Sequence, residues 1–206
     1  MLKIWGRKNS INVQKVLWVC GELALPFDRI DAGMAFGVNN TPEYKAMNPN
    51  GLVPVINDAG FILWESHVIV RYLARKHGLG TLCPVDPRAA ADADRWMDWV
   101  STTVWVNLRP VFWNLVRTAP EQRDMAVVTS GIKLLKENFG ILDKVLADRA
   151  YVAGDAFTMG DIPLGVCAFR WYNMDIDRPA YKHLDAWYAR LCERPAFKQY
   201  CMTALT

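Results

Sequence analysis

Three short stretches carry residue types and spacings that could do chemistry. Ser10 lies in Arg7-Lys8-Asn9-Ser10-Ile11-Asn12, directly ahead of Val13, Val16, Leu17 and Cys20, which recur at helical spacing. The first amide N–H groups of a helix lack partners and its dipole is positive there, so an anion is held readily. The Ser10 hydroxyl, or the amide of Asn9 or Asn12 beside it, can donate to a sulfur anion at that point, or Ser10 can simply cap the helix. The second stretch is Val53-Pro54. Proline cannot donate to a sheet, so it marks an edge or a strand start. A cis bond would turn the N–H and C=O of Val53 toward a passing extended peptide, as in strand addition, and the sequence leaves the isomer open. The third is Glu65-Ser66, at the opening of a helix that runs to His77. A serine hydroxyl with free N–H groups suits a carboxylate, and the neighbouring acid suits an ammonium; both on one carbon make an α-amino acid. Ordinary capping is the competing reading.

The elements that must position these residues differ between the two halves of the chain. Leu2–Trp5 alternates like a strand, a helix follows Ser10 and ends before Pro26, and Phe27–Ile30 is a second strand candidate. After a loop from Gly33 to Pro42, Val53–Ile56 and Phe61–Leu63 flank Asn57-Asp58-Ala59-Gly60, a hairpin with turn chemistry. The order βαβ, then ββα, predicts a thioredoxin-like α/β domain over residues 1–78. Residues 79–87, with Pro84 and Pro87, read as a linker. Residues 88–206 contain no convincing strand and read as an all-α bundle. Met125, Val128, Ile132, Leu135, Phe139, Leu142 and Leu146 step by three and four; an internal bundle helix and a coiled-coil seam both fit. In Phe157-Thr158-Met159-Gly160-Asp161-Ile162, Thr158 can cap the N–H of Asp161, Asp161 can reach back to the N–H of Thr158, and Phe157 and Ile162 can form a hydrophobic staple.

Composition removes several function classes. The net charge of +3 is too small to argue for nucleic acid or an anionic membrane. No apolar run approaches the roughly 20 residues of a spanning helix, and no signal-peptide core precedes the first strand. Five dispersed cysteines without a Cys-x-x-Cys pair read as reduced thiols, and hence as a cytoplasmic chain. The three histidines, His67, His77 and His183, share no metal-ligand spacing with them, so no metal is expected. Of the nine tryptophans, Trp105 and Trp113 recur with Arg109 at intervals of four and can present one face to a ligand, or pack in the core. Pro110 between them can kink the helix and open space. Met34 and Phe36 are further wall candidates.

Taken in order, Ser10, the Asn48-Pro49 to Val53-Pro54 loop, Trp64-Glu65-Ser66, the Thr158–Asp161 box and Glu193-Arg194-Pro195-Ala196 resemble the soluble glutathione transferases over essentially the whole chain. The likeness is nearest to the bacterial and theta-like, serine-type branch. It implies a cis Pro54, Val53 pairing with the cysteinyl part of glutathione, and Glu65 and Ser66 holding its γ-glutamyl end. It also implies a homodimer, a cytoplasmic enzyme, and a small hydrophobic electrophile as second substrate. The chain departs from tyrosine-type relatives by having Trp5-Gly6 after the first strand, and from cysteine-type relatives by having no Cys near Ser10. Where some serine-type relatives have a His, it has Asn50-Gly51; Asn39 or Asn50 is the candidate for the glycyl carboxylate. Dehalogenation, peroxide reduction or isomerisation by the same thiolate, and a binding scaffold without catalysis, are the alternatives.

Overall fold

The computed structural model describes residues 1–206. Alternation in Leu2-Lys3-Ile4-Trp5 buries Leu2 and Ile4 and makes β1 (Leu2–Trp5) the second strand of a four-stranded sheet. The order is β2-β1-β3-β4, with β2 (Phe27–Ile30) parallel to β1, and β3 (Val55–Asp58) and β4 (Phe61–Trp64) antiparallel. The parallel pair needs a crossover, which α1 (Ile11–Glu22) supplies. The hairpin turn is only Ala59-Gly60, at φ 52° and 97°, the positive values that a two-residue turn requires. Asn57 and Asp58, expected in the turn, instead end β3, and Asn57 Oδ1 accepts from Gly60 N at 2.7 Å.

Successive side chains of β3 point to opposite faces. Ile56 joins the main core with residues of α1 and α3 (Ser66–His77), while Val55 joins a separate small cluster with Ala32 and Tyr44. Tyr44 comes from α2 (Pro42–Met47), a short helix at the end of the loop expected from Gly33 to Pro42. Its start is set by Thr41, whose hydroxyl accepts from Tyr44 N, and by Pro42 at the first helical position.

From Pro87 onward the chain is helical. α4 (Pro87–Trp99), α5 (Trp105–Phe112) and the π-helical turns at Val100–Val104 and Trp113–Arg117 run on without a break, with Pro110 inside α5. Such π turns commonly lie at functional sites. α6 (Met125–Val145) buries Val128, Leu135, Phe139 and Leu142 and packs beside α5, as a bundle helix does. α7 (Asp161–Asn173) is buried along almost its whole length, and α8 (Lys182–Glu193) and α9 (Pro195–Tyr200) complete the domain. Gly165 on α7 is one place where the halves touch: a Cβ there would lie 2.7 Å from the Trp18 ring of α1. Trp18 is fully buried, so its ring has no room to give.

The predicted box at the start of α7 is half correct. Asp161 Oδ2 accepts from Thr158 N at 2.9 Å, but Thr158 Oγ1 accepts from Gly160 N, not Asp161 N, which bonds to the Thr158 carbonyl. The tight turn brings Gly160 nearer to the hydroxyl. Asp161 does more than cap. It is wholly buried, and its Oδ1 also accepts from Val152 N at 3.0 Å and Trp187 Nε1 at 2.9 Å, tying α7 to the preceding loop and to α8.

Candidate active site

Two adjoining clefts, each of about 340 Å³, meet at Asn12 and Trp105. One lies between the Ser10 loop, the Val53 loop and α5; the other lies over the start of α3. Together they bring Ser10, Asn12, Asn39, Val53, Glu65, Ser66, Trp105, Arg109 and Trp113 to one continuous surface.

Ser10 is the residue before α1 and is 6% exposed, yet its side chain makes no capping bond. The simple capping role is therefore absent, and the hydroxyl lines the cleft at the positive end of α1. Asn12 is oriented by a neighbour that sequence reading missed. Lys15, one turn along the same helix, donates from Nζ to Asn12 Oδ1 at 3.0 Å. An ammonium needs an acceptor, so the amide oxygen faces Lys15 and the NH₂ group is left for the cleft. Lys15 Nζ also lies 2.9 Å from His67 Nε2, which must accept, leaving the proton on Nδ1, 2.9 Å from Ser101 Oγ. Burial and the Lys15 charge push the His67 imidazole down to about 2, so it is neutral. Burial likewise pushes the Lys15 ammonium down to about 8. Asn9 is not part of this group: its amide bonds to Thr206 Oγ1.

The Val53-Pro54 bond is cis. The N–H and C=O of Val53 enter no hydrogen bond with the rest of the protein. The loop before it is pinned by Tyr44 Oη and Asn48 Nδ2, both donating to the Leu52 carbonyl at 2.8 and 2.9 Å. Asn39 lines the cleft, where its amide donates to the Gly51 carbonyl at 2.7 Å. Gly51 has φ 62°, and a Cβ there would stand 3.0 Å from the Asn39 carbonyl oxygen. Asn50, the other candidate, does not reach the cleft; it is exposed and folds back so that both its N–H and its amide donate to Asn48 Oδ1. The small buried Asn48 holds this loop from within, which turns Asn50 outward.

α3 begins at Ser66, one residue later than expected, because Glu65 stands at φ 71°, ψ 108°. A non-glycine residue in that region costs about 1–3 kcal/mol and persists where surrounding structure enforces it, commonly at binding sites. The Glu65 side chain makes no capping bond and is exposed beside the second cleft, while Ser66 is 6% exposed within it.

The opposite wall comes from α5 and the turns around it. Trp105, Arg109 and Trp113 line the cleft together, as does Met34; Phe36 does not. The wall is less apolar than expected. Arg117 and Arg170 join Arg109 there, and Arg7 adds a fourth guanidinium from the Ser10 loop. Arg117 was legible in principle, since it continues the steps of four from Arg109 and Trp113; Arg170, on buried α7, gave no local signal.

Residues 9–76 match the family model for the glutathione S-transferase N-terminal domain, and residues 97–195 match that for its C-terminal domain. The chain belongs to the glutathione S-transferase family. It is 41% identical to glutathione S-transferase GstB of Escherichia coli over 204 residues, covering 98% of both chains. It is 32% identical to glutathione S-transferase 3 of Zea mays, covering 96% of this chain and 92% of that one. The structure is similar to that of the theta class glutathione S-transferase from Xanthomonas axonopodis pv. citri with glutathione bound, with a TM-score of 0.96 at 46% identity, covering 100% of this chain and 99% of that one. A thioredoxin-like unit followed by a helical domain is thus the glutathione S-transferase fold, as the sequence indicated. No helix is long and apolar enough to cross a membrane, and no group of three or more His, Cys, Asp or Glu residues is placed to hold a metal.

Proposed function

We propose that this glutathione S-transferase binds glutathione across the two clefts and activates its thiol for attack on an electrophile seated against α5. The carrying observation is that Val53 offers an unpaired main-chain N–H and C=O between an uncapped Ser10 hydroxyl and the Glu65-Ser66 helix start. In this reading Val53 and Pro54 hold the cysteinyl part in extended form. Ser66 and the first amides of α3 take the γ-glutamyl carboxylate, Glu65 takes its ammonium, and Asn39 stands nearest to the glycyl end. Residues 1–78 form the glutathione half, 79–87 the connection, and 88–206 the side of the second substrate. A cytoplasmic homodimer is the assembly that the family likeness suggests.

A free thiol of pKa about 8.5 is only about 3% thiolate at pH 7, and lowering it by two decades takes about 2.7 kcal/mol. A helix terminus contributes about 0.3–1 kcal/mol and a hydrogen bond to a charged group about 1.5–3. Ser10 is the first donor, with the Asn12 amide beside it, and the buried Lys15 charge behind Asn12 adds a positive field. The sulfur then attacks the electrophilic carbon, and the departing group leaves with its electron pair.

Calorimetric titration with glutathione, followed by assay against a chloronitroaromatic, tests the reading. Binding with turnover is expected; no binding at millimolar glutathione would make the chain a scaffold. A hydroperoxide assay beside it separates conjugation from peroxide reduction. Ser66→Ala is expected to weaken glutathione binding about fivefold, the loss of about 1 kcal/mol of hydrogen bonding, with turnover at saturation little changed. Lys15→Met is expected to lower kcat severalfold yet leave the fold neutral to about 2 kcal/mol more stable at pH 7, because a buried charge without a carboxylate is removed. The sign over pH follows from linkage. Lys15 holds its proton to about 8 in the fold and to 10.5 in the open chain, so the wild type gains stability as pH rises through that window. The stability difference between variant and wild type therefore shifts in favour of the wild type from pH 8 to 10.5.

A further inference from the structure

The cleft beside Ser10 is lined by four arginines, Arg7, Arg109, Arg117 and Arg170, and by no aspartate or glutamate. Three of these guanidinium groups gather around two rings. The Cζ of Arg117 lies 5.2 Å from the Phe112 ring centroid and 4.5 Å from that of Trp113; the Cζ of Arg170 lies 5.4 Å from Phe112, and that of Arg109 5.8 Å from Trp113. None of the four pairs with a carboxylate side chain, although Arg29, Arg71, Arg75, Arg95, Arg149 and Arg194 elsewhere all do. Arg170 is satisfied by Gln14 Oε1 and the Val166 carbonyl, and Arg117 by the Thr206 carbonyl oxygen. Arg109 donates no hydrogen bond, and Arg7 Nε is buried without a partner. Burial, and to a smaller extent mutual repulsion, lowers the affinity of Arg7 and Arg170 for their protons. A cluster of like charges around an open cleft is relieved by an anion.

Resting on the transferase reading above, we propose that the second substrate is a small electrophile bearing a carboxylate, its apolar body against Trp105 and Phe112 and its carboxylate held by Arg7 and Arg109. Planar guanidinium groups bind a carboxylate through paired N–H bonds. Anchored so, the electrophilic carbon is presented to the sulfur near Ser10. For a benzylic chloride the C–S bond forms as the C–Cl bond breaks, chloride leaves with the electron pair, and the thiol proton has already passed to solvent. The product is a glutathione thioether carrying an additional carboxylate.

A matched pair of probes tests this: 4-(chloromethyl)benzoate and its uncharged methyl ester, each with saturating glutathione and the uncatalysed rate subtracted. The acid is expected to show a kcat/KM at least tenfold above that of the ester. In Arg7→Gln and in Arg109→Gln that ratio is expected to fall by a further factor of about ten, the cost of losing one charged hydrogen-bond pair. An ester used as well as the acid, or a ratio unmoved in both variants, would overturn the proposal. So would an intact ratio with a raised KM for glutathione, which would assign the arginines to the glycyl carboxylate. Turnover of neither probe, nor of the chloronitroaromatic, would remove the transferase reading and this inference with it.

Discussion

Ser10→Ala is expected to lower kcat for conjugation about 10- to 100-fold, with the glutathione dissociation constant changed less than threefold. The hydroxyl caps nothing in α1, so its loss leaves the helix start unaltered. What it removes is a donor to a charge that exists only once the thiol has ionised. A hydrogen bond to a charged group is worth about 1.5–3 kcal/mol, and each 1.36 kcal/mol is tenfold in rate. The neutral thiol needs that donor little, which is why affinity is spared. Ultraviolet titration of the bound thiolate is the direct measurement: its midpoint should rise in Ser10→Ala by one to two pH units, in line with the rate. Asn12→Ala is the companion. The Asn12 amide is aimed by Lys15, which leaves its N–H groups free for the sulfur. Should Ser10→Ala keep full turnover while Asn12→Ala loses it, the amide is the donor and the serine is not.

Asp161→Ala is expected to be the most damaging substitution for stability. The carboxylate accepts from Val152 N, Thr158 N, Thr158 Oγ1 and Trp187 Nε1, all within a region the solvent does not reach. Truncation leaves three N–H donors buried without acceptors, each costing about 1–3 kcal/mol, so a loss of about 3 kcal/mol or more is expected. Burial has already pushed the Asp161 carboxyl up to about 6, against the pull of those four donors, so its removal returns some desolvation cost. The unpaired donors still dominate, because they remain buried whether or not the charge is there. Denaturant unfolding measures the difference, and Thr158→Ala, which removes only one of the four donors, should cost under half as much. A loss below 1 kcal/mol in Asp161→Ala would mean that water enters and satisfies the donors.

How much of this molecule can be read before it folds depends on the range of the interactions involved. The strands, α1, α3 and the switch to an all-helical second half follow from periodicity and from breakers such as Pro26 and Gly78, which act over a few residues. Ser10, Val53-Pro54 and Glu65-Ser66 were legible for the same reason, since helix starts and strand edges advertise themselves locally. Residues that work only through distant partners were not. Lys15 orients Asn12, but His67, its second partner, is 52 positions away. Asn50 looked as suitable as Asn39 until Asn48, buried beneath the loop, turned it outward.

Local sequence therefore determined the two-part architecture and the three places where backbone or hydroxyl groups are left free for a ligand. Tertiary packing decided how much positive charge gathers around the cleft. Arg7 comes from the first loop, Arg109 and Arg117 from α5 and its π turn, and Arg170 from buried α7, and only the docking of α7 against α1 and α5 gathers them. Charge acts through space over distances that the chain spans only when folded, so a sequence showing a net charge of +3 gives no hint of such a concentrated positive cleft.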